Sequence, residues 1–305
     1  MNRFVGLLLA CTFSISSAEE ESPTDPLALL LEDSGGEITA LAEAMLGKKG
    51  GDKLFYFPSR NIPYTPAKYD LVFEEVRFPS TDESELHGWF LPAADGAEKA
   101  KGTVVFSHGN AGSVSYHLDF VDWLPAAGFN VLLYDYRGYG KSTGKVTRKG
   151  LIDDVSSALA YAGSREDVDG SRLFSYAHSL GGAKSIAALG LEPVKGVRGV
   201  ITFGGFSSYR KMARAKLGAV GENLTTDELS PVDLVGELSP VPLLIIHGAG
   251  DRMVPIAQAK ELFEQANEPK TLVEVEGAGH GNALDVRDGE ARQTMLEWMD
   301  ALLEE

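Results

Sequence analysis

The chain has 305 residues, 44% of them hydrophobic, so it is long enough to bury a full core, and we expect one catalytic domain. It carries 28 basic and 44 acidic residues, a net charge of −16 that repels phosphate backbones and anionic lipid surfaces. Because the sequence contains no run of Lys and Arg to offset this charge, we expect no nucleic-acid partner.

The first residues predict an export signal. Arg3 supplies a positive charge, residues 4–15 are mostly apolar, and small residues at 16–18 fit a cleavage site. The apolar stretch is too short to span a bilayer. We therefore expect residues 1–18 to be a signal peptide and the protein to be periplasmic or secreted.

The single cysteine, Cys11, lies inside this segment. The residues Leu8-Leu9-Ala10-Cys11 also resemble a lipoprotein processing box, which would make Cys11 a lipid anchor and the one expected contact with a membrane. Plain secretion is favoured because cleavage before Cys11 would leave a very short apolar stretch. In either case the folded domain has no cysteine, which excludes a disulfide and a thiol nucleophile.

Residues 19–52 predict a leader followed by a helix. Residues 19 to about 36 are acidic and contain Ser, Pro and Gly, which is typical of a loosely held segment. Apolar residues between Ile38 and Leu46 fall on one helical face, and we expect this helix to pack on the main domain.

From residue 73 onward, short strands alternate with helices. The predicted strands are residues 73–78, 85–91, 102–107, 129–134, 173–177, 200–203, 243–247 and 271–275, and the predicted helices are 115–126, 147–162, 179–189, 256–266 and 290–303. The first two strands predict an antiparallel pair. The alternation predicts an α/β fold with a mostly parallel, twisted sheet of about eight strands and helices on both faces. Residues 204–240 interrupt it and predict either a small cap beside a pocket or a surface loop with one helix.

The turn at Ser179 carries the strongest chemical signal. Residues 175–182 read SYAHSLGG, and a predicted strand runs directly into a helix there. This is the pattern of a nucleophile elbow, a strained turn that exposes the serine hydroxyl. The usual glycine two residues before the serine is Ala177 here. The alternative is a serine that caps the following helix.

Asp251 and His280 supply the acid and the base that a serine nucleophile requires. Each follows a predicted strand, so both lie with Ser179 at carboxyl ends of parallel strands, where open α/β sheets bind ligands. Pro255 is expected to open the next helix, which would leave Asp251 without a capping role. The alternative for His280 is an ordinary loop histidine. His178 is expected to project away from the nucleophile and to support the wall of the site.

Backbone amides are the expected donors to an oxyanion. One is the N–H of Leu180, directly after the nucleophile, and the other comes from residues 108–112, with Asn110 as first choice and Ala111 as the alternative. A plain glycine-rich turn is the competing interpretation of that loop. The remaining histidines lack metal-ligand spacing, so we expect neither a metal nor another cofactor.

These motifs together resemble the α/β-hydrolase superfamily. The segments FYFPSR at 55–60, HGNAG at 108–112 and DYRGYG at 135–140, with those of the three site residues, are similar to a small-capped subgroup that includes membrane-associated depalmitoylases. The resemblance implies an α/β-hydrolase domain over residues 53–305, with the cap inserted at about 204–240. It also implies hydrolysis of a small-molecule ester or thioester. Gly204-Gly205 departs from the subgroup, where an acidic and a Ser-type residue are commoner.

The sequence therefore predicts a serine hydrolase that works through an acyl-enzyme on Ser179. A peptidase, acyltransferase or lipase on the same fold is one alternative. Haloalkane and epoxide chemistry is disfavoured because those relatives carry a carboxylate at the elbow. A non-enzymatic binding or scaffold protein is the other alternative.

Overall fold

The computed structural model describes residues 36–47 and 50–304, so the predicted signal peptide, Cys11 and most of the leader lie outside the described residues. The strands are β1 (Phe57–Pro58), β2 (Glu74–Pro79), β3 (Glu85–Leu91), β4 (Gly102–Ser107), β5 (Ala111–Gly112), β6 (Phe129–Tyr134), β7 (Leu173–His178), β8 (Val197–Phe203), β9 (Leu243–Gly248) and β10 (Lys270–Val275). The α-helices are α1 (Glu37–Leu46), α2 (Arg148–Ser164), α3 (Leu180–Leu191), α4 (Tyr209–Leu224), α5 (Ile256–Gln265) and α6 (Glu290–Glu304).

Eight of these strands form one sheet, in the order β10-β9-β8-β7-β4-β6-β3-β2. Strand β3 runs antiparallel to both of its neighbours, and every other neighbouring pair is parallel. The predicted mostly parallel sheet and its initial antiparallel pair are therefore confirmed. A separate two-stranded parallel pair, β1 with β5, was not predicted.

Hydrophobic cores cover both faces of the sheet. One face packs against α2, α3 and α5, and the other packs against α6 and residues 114–124. Strands β4, β6, β7 and β9 are buried along their whole length, as expected for parallel strands that are covered on both sides. None of the described helices is long and apolar enough to cross a membrane.

The helix predicted over residues 115–126 is wrong. Two short 3-10 turns, Val114–Tyr116 and Leu118–Phe120, replace it and are followed by further turns. Long-range hydrogen bonds hold the backbone in this path, because the Val114 N–H donates to the carboxylate of Asp135 (2.7 Å) and the Ser115 hydroxyl accepts from the Tyr64 N–H (2.8 Å). Apolar residues of the segment remain buried, which explains the helix-like spacing in the sequence.

The region 204–240 contains α4 and two 3-10 turns, Pro231–Asp233 and Val235–Leu238. Helix α4 bends at Gly218, whose φ of 58° and ψ of −152° suit glycine alone. Its buried residues include Tyr209, Ala213, Val220 and Leu224, and α1 lies against it. The N-terminal helix thus packs on the segment that was predicted to form a cap or a loop with one helix.

Candidate active site

Ser179 lies in a strained turn between β7 and α3. Its φ of 54° and ψ of −116° are unusual for a residue other than glycine. Its N–H donates to the carbonyl of Phe203 at 2.8 Å, which ties the turn to the end of β8. The side chain makes no capping hydrogen bond to α3, so the interpretation of Ser179 as a helix cap is wrong.

Gly181 allows the end of β4 to approach this turn. A Cβ atom on Gly181 would lie 2.0 Å from the carbonyl oxygen of Ser107 and 2.8 Å from that of His108. Both contacts are with backbone atoms, which cannot swing aside as a flexible side chain can. The first turn of α3 and the loop after β4 are therefore in direct contact, and both hold predicted oxyanion donors.

His280 connects Ser179 with Asp251. Its Nε2 atom lies 3.0 Å from the Ser179 hydroxyl oxygen, and its Nδ1 atom lies 2.8 Å from Oδ2 of Asp251. When Nδ1–H donates to the carboxylate, Nε2 carries no proton and can accept one from the hydroxyl. The fold thus brings the three predicted side chains into one hydrogen-bonded series, although 101 residues separate Ser179 from His280.

The carboxylate of Asp251 is held by its own loop. Its Oδ1 atom accepts hydrogen bonds from the N–H groups of Met253 (2.7 Å) and Val254 (2.9 Å). Asp251 does not cap the following helix, in agreement with the expectation, because these N–H groups belong to the turn before that helix. Pro255 was expected to be the first helical residue, but helix α5 begins at Ile256 and Pro255 directly precedes it. One oxygen shapes the loop while the other faces His280.

Electrostatics keep Asp251 ionised. Burial alone would raise the pKa of this carboxyl, but the hydrogen bond and charge of His280 and the Val254 N–H outweigh it, so the pKa lies below its ordinary value. An ionised carboxylate accepts a hydrogen bond from the imidazole of His280 and so orients the ring.

His247 is a second imidazole beside Asp251 that the sequence analysis missed. It is buried at the end of β9, with Nε2 2.8 Å from the carbonyl of Val254 and 3.4 Å from Oδ2 of Asp251. Burial lowers its pKa, so the ring is neutral and Nε2–H donates to the Asp251 loop. The sequence feature that could have indicated this role is the position of His247, four residues before Asp251. Within residues 36–47 and 50–304, no group of three His, Cys, Asp or Glu residues could hold a metal ion.

His178 contacts the backbone of His280. Its Nε2 atom lies 3.2 Å from the His280 carbonyl oxygen, and its ring stacks on Phe120 at a centroid distance of 4.3 Å. Burial lowers the pKa of His178 well below its ordinary value, and the neighbouring rings of His280 and His117 add to the shift. A neutral His178 thus supports the position of His280, in agreement with its expected role as a supporting residue.

Hydrogen bonds to backbone carbonyls fix the loop of residues 108–112, which holds the other predicted oxyanion donors. The carbonyl of Asn110 accepts hydrogen bonds from the Phe57 N–H and the Tyr139 hydroxyl, both at 2.9 Å, and the carbonyl of His108 accepts from the Tyr136 hydroxyl at 3.0 Å. In a trans peptide the C=O and the next N–H point in opposite directions, so the Ala111 N–H points away from Phe57 and Tyr139.

Gly204 lies against the imidazole of His280. A Cβ atom on Gly204 would be 3.2 Å from the His280 Nδ1 atom, and its φ of 62° also favours glycine. Gly204, where the sequence departs from the subgroup that it resembles, therefore lies at the edge of the site. Any side chain at this position would crowd the His280 ring.

Comparison with known sequences identifies relatives of this chain. The family model Hydrolase_4, described as serine aminopeptidase, S33, matches residues 98–226. The chain is 36% identical over 247 residues to the uncharacterized protein YfhR of Escherichia coli K12, which covers 80% of this chain and 86% of that protein. It is 31% identical over 255 residues to the α/β-hydrolase domain-containing protein WAV2 of Arabidopsis thaliana, with 75% and 80% covered.

Solved structures share the fold at low sequence identity. The Pyrococcus furiosus esterase Pf2001 superposes with a TM-score of 0.66 at 20% identity and covers 82% of this chain and 97% of that one. Est1E of Butyrivibrio proteoclasticus, solved with ferulic acid bound, has a TM-score of 0.60 at 19% identity and covers 75% and 100%. With the sequence relatives above, this likeness establishes that the chain belongs to the α/β-hydrolase superfamily.

Proposed function

We propose that this protein is a serine hydrolase that cleaves carboxylic ester or thioester bonds through an acyl-enzyme on Ser179. The observation that carries the proposal is the hydrogen-bonded series from the Ser179 hydroxyl through the imidazole of His280 to the carboxylate of Asp251. A serine hydroxyl becomes a useful nucleophile when a base can take its proton and a third group orients that base. Both conditions are met here.

In the first step, His280 Nε2 takes the hydroxyl proton as Ser179 Oγ bonds to the substrate carbonyl carbon. The N–H of Leu180 and that of Asn110 or Ala111 donate to the resulting oxyanion, and each such donor stabilises the transition state by about 3 to 4 kcal/mol. The C–O or C–S bond then breaks, and His280 gives its proton to the leaving alcohol or thiol.

In the second step, water replaces the leaving group. His280 Nε2 takes a proton from the water as its oxygen bonds to the acyl carbon. The ester bond to Ser179 breaks, the proton returns to the Ser179 oxygen, and a carboxylic acid leaves. Asp251 stabilises the charged imidazole in both steps.

A panel of p-nitrophenyl esters from acetate to palmitate tests the proposal. Ser179→Ala should lower turnover by about 10⁴- to 10⁶-fold, as loss of a nucleophile does in comparable enzymes. Ser185→Ala is the matched control, since it removes another buried α3 hydroxyl, one without a hydrogen-bond partner among the described residues. Near-normal hydrolysis by Ser179→Ala would refute the assignment.

A peptidase is the second candidate, because the matching family model is described as a serine aminopeptidase. Aminoacyl p-nitroanilides, measured beside the esters, separate the two activities. A clear preference for the anilides would replace the esterase proposal.

Labelling by a fluorophosphonate probe separates either enzyme from a non-enzymatic scaffold, because only an activated serine reacts quickly. Absence of labelling in the wild type would support the scaffold.

A further inference from the structure

Helix α4 is basic in an acidic protein. It carries Arg210, Lys211, Arg214 and Lys216 but one acidic residue, Glu222, whereas the whole chain has a net charge of −16. The sequence has no continuous basic run, yet these residues fall within seven positions of the helix beside the candidate active site. A local cluster of one sign attracts ligands of the opposite sign even when the protein as a whole repels them.

Most of this positive charge is neutralised by neighbours. Arg210 and Arg214 both pair with Glu222, and Lys211 pairs with Glu261. Within the described ranges, 36–47 and 50–304, no carboxylate forms an ion pair with Lys216. The same holds for Arg252, in the loop that follows β9.

The side chain of Lys216 contacts the backbone of Arg252 in the loop that carries Asp251. The ammonium of Lys216 donates a hydrogen bond to the carbonyl of Arg252 at 3.2 Å, and Arg252 directly follows Asp251. Lys216 is the second residue before Gly218, where α4 bends, and its side chain reaches this loop. Both cationic residues are exposed. An anion that binds them would therefore lie at the edge of the Asp251–His280 pair.

Lys216 does not serve to complete the hydrogen bonding of Asp251. Both carboxylate oxygens already accept hydrogen bonds, one from two backbone N–H groups and the other from His280. Lys216 bonds to a backbone carbonyl instead, and an ammonium group retains two further donors after one bond. Although the residue as a whole is exposed, partial burial of its ammonium lowers the pKa of Lys216, and the charge of Asp251 opposes the shift. An anionic ligand would offset the cost of that partial burial.

We propose that Lys216 and Arg252 bind an anionic group of the acyl substrate at the mouth of the site. This inference rests on the proposed esterase or thioesterase function and adds the charge of its substrate. Carboxylate and phosphate groups share the required chemistry, because both present several anionic oxygen acceptors to nitrogen donors. The anion belongs either to the far end of the acyl chain, as a carboxylate, or to the leaving group, as a phosphate.

Two pairs of substrates distinguish these sources. For the acyl end, p-nitrophenyl valerate is compared with the p-nitrophenyl monoester of glutaric acid. For the leaving group, a 1-acylglycerol is compared with the matching 1-acylglycerol 3-phosphate. The double variant Lys216→Gln with Arg252→Gln should lower kcat/KM for the anionic member of one pair by about 10- to 100-fold. For the neutral member of each pair, kcat/KM of the double variant should stay within about twofold of the wild-type value. The control Lys211→Gln should leave kcat/KM for all four substrates within about twofold, since Lys211 is already paired with Glu261.

The outcomes separate this inference from the proposed function. An equal loss on neutral and anionic substrates, or no loss on either, overturns the anion site. If the wild type hydrolyses none of the four substrates, the esterase proposal fails, and the anion site is then decided by calorimetry without turnover. Glutarate and glycerol 3-phosphate are titrated into Ser179→Ala with and without the two Gln substitutions. Binding that weakens about tenfold supports the site, and unchanged or absent binding overturns it.

Discussion

Replacing Gly181 with alanine would place a methyl group against the end of strand β4. Its carbon would lie 2.0 Å from the Ser107 carbonyl oxygen, whereas a carbon and an oxygen in ordinary contact are about 3.3 Å apart. The two backbones must therefore separate by roughly 1.3 Å. Overpacking of this kind costs about 1 to 3 kcal/mol. At an unfolding entropy of about 2.1 cal/mol/K per residue, about 3 kcal/mol lowers the Tm of a chain of 305 residues by about 5 °C. The same movement separates the Leu180 amide from the loop after β4, and a shift of about 1 Å in an active site can lower kcat/KM about 100-fold.

The neighbouring Gly182 provides the control. A Cβ atom there would lie 3.4 Å from Gly205 Cα and from Thr202 Cβ, which is ordinary contact. Alanine is also the better helix former by up to about 1 kcal/mol, so Gly182→Ala should leave stability within about 1 kcal/mol of the wild type. Thermal unfolding and p-nitrophenyl ester hydrolysis are measured on both variants. Wild-type Tm together with wild-type turnover in Gly181→Ala would refute the argument from close approach.

Three further changes test other parts of the structure. Arg137→Met leaves the buried carboxylate of Asp154 unpaired and should lower the free energy of unfolding in urea by about 3 to 5 kcal/mol, a loss that Asp154→Asn in the same chain should partly restore. His247→Phe removes a hydrogen-bond donor to the loop that holds Asp251, and it should lower kcat for ester hydrolysis by about 5- to 20-fold with little change in KM. A change confined to KM would contradict a role of His247 in positioning Asp251. Burial lowers the pKa of His117 in the folded state, so below about pH 6.5 the unfolded chain binds a proton that the folded chain does not. The free energy of unfolding therefore falls as the pH falls, by up to about 1.4 kcal/mol per pH unit. His117→Gln should flatten that dependence in urea titrations between pH 7.5 and 5, and an unchanged slope would count against it.

The central strands could be predicted from the sequence because each is a continuous apolar run between turns. The bounds of β3, β4 and β6 match the prediction residue for residue, and the other predicted strands differ by no more than three residues at either end. Such runs arise because both faces of a parallel strand are covered by helices, so the signal lies within the strand itself.

The failures come from segments whose structure is set by distant residues. The pattern of residues 115–126 suits a helix, but Asp135 and Tyr64, both far away in the chain, supply hydrogen bonds that hold it as turns. The pair of β1 and β5 joins residues about 54 positions apart, and neither two-residue strand is long enough to produce a periodic pattern. Local periodicity cannot report such contacts.

The residues of the candidate site also fall into two groups, those that sequence position predicts and those that depend on distant contacts. Each of the three site residues follows a parallel strand, and the carboxyl ends of these strands meet at one edge of the sheet. The proximity of Ser179, Asp251 and His280 could therefore be predicted from their positions in the sequence. The residues that hold them in place do not follow from position: the role of His247 depends on how the loop after β9 turns back, and that of Tyr139 depends on the path of residues 108–112.

A buried lysine joins helix α4 to helix α3. Lys184 lies on α3, five residues after Ser179, and its side-chain nitrogen donates to the hydroxyl groups of Tyr209 on α4 (2.7 Å) and Tyr56 (3.0 Å). Because Lys184 is fully buried, loss of either hydroxyl would leave one of its donors unsatisfied, which opposes movement of the first half of α4 away from α3. Lys216 lies further along the same helix, just before the bend at Gly218. Helix α4, which carries the proposed anion contact, is therefore fixed to helix α3, which begins directly after Ser179, so the folded chain itself sets the distance between the proposed anion site and the Ser179 hydroxyl.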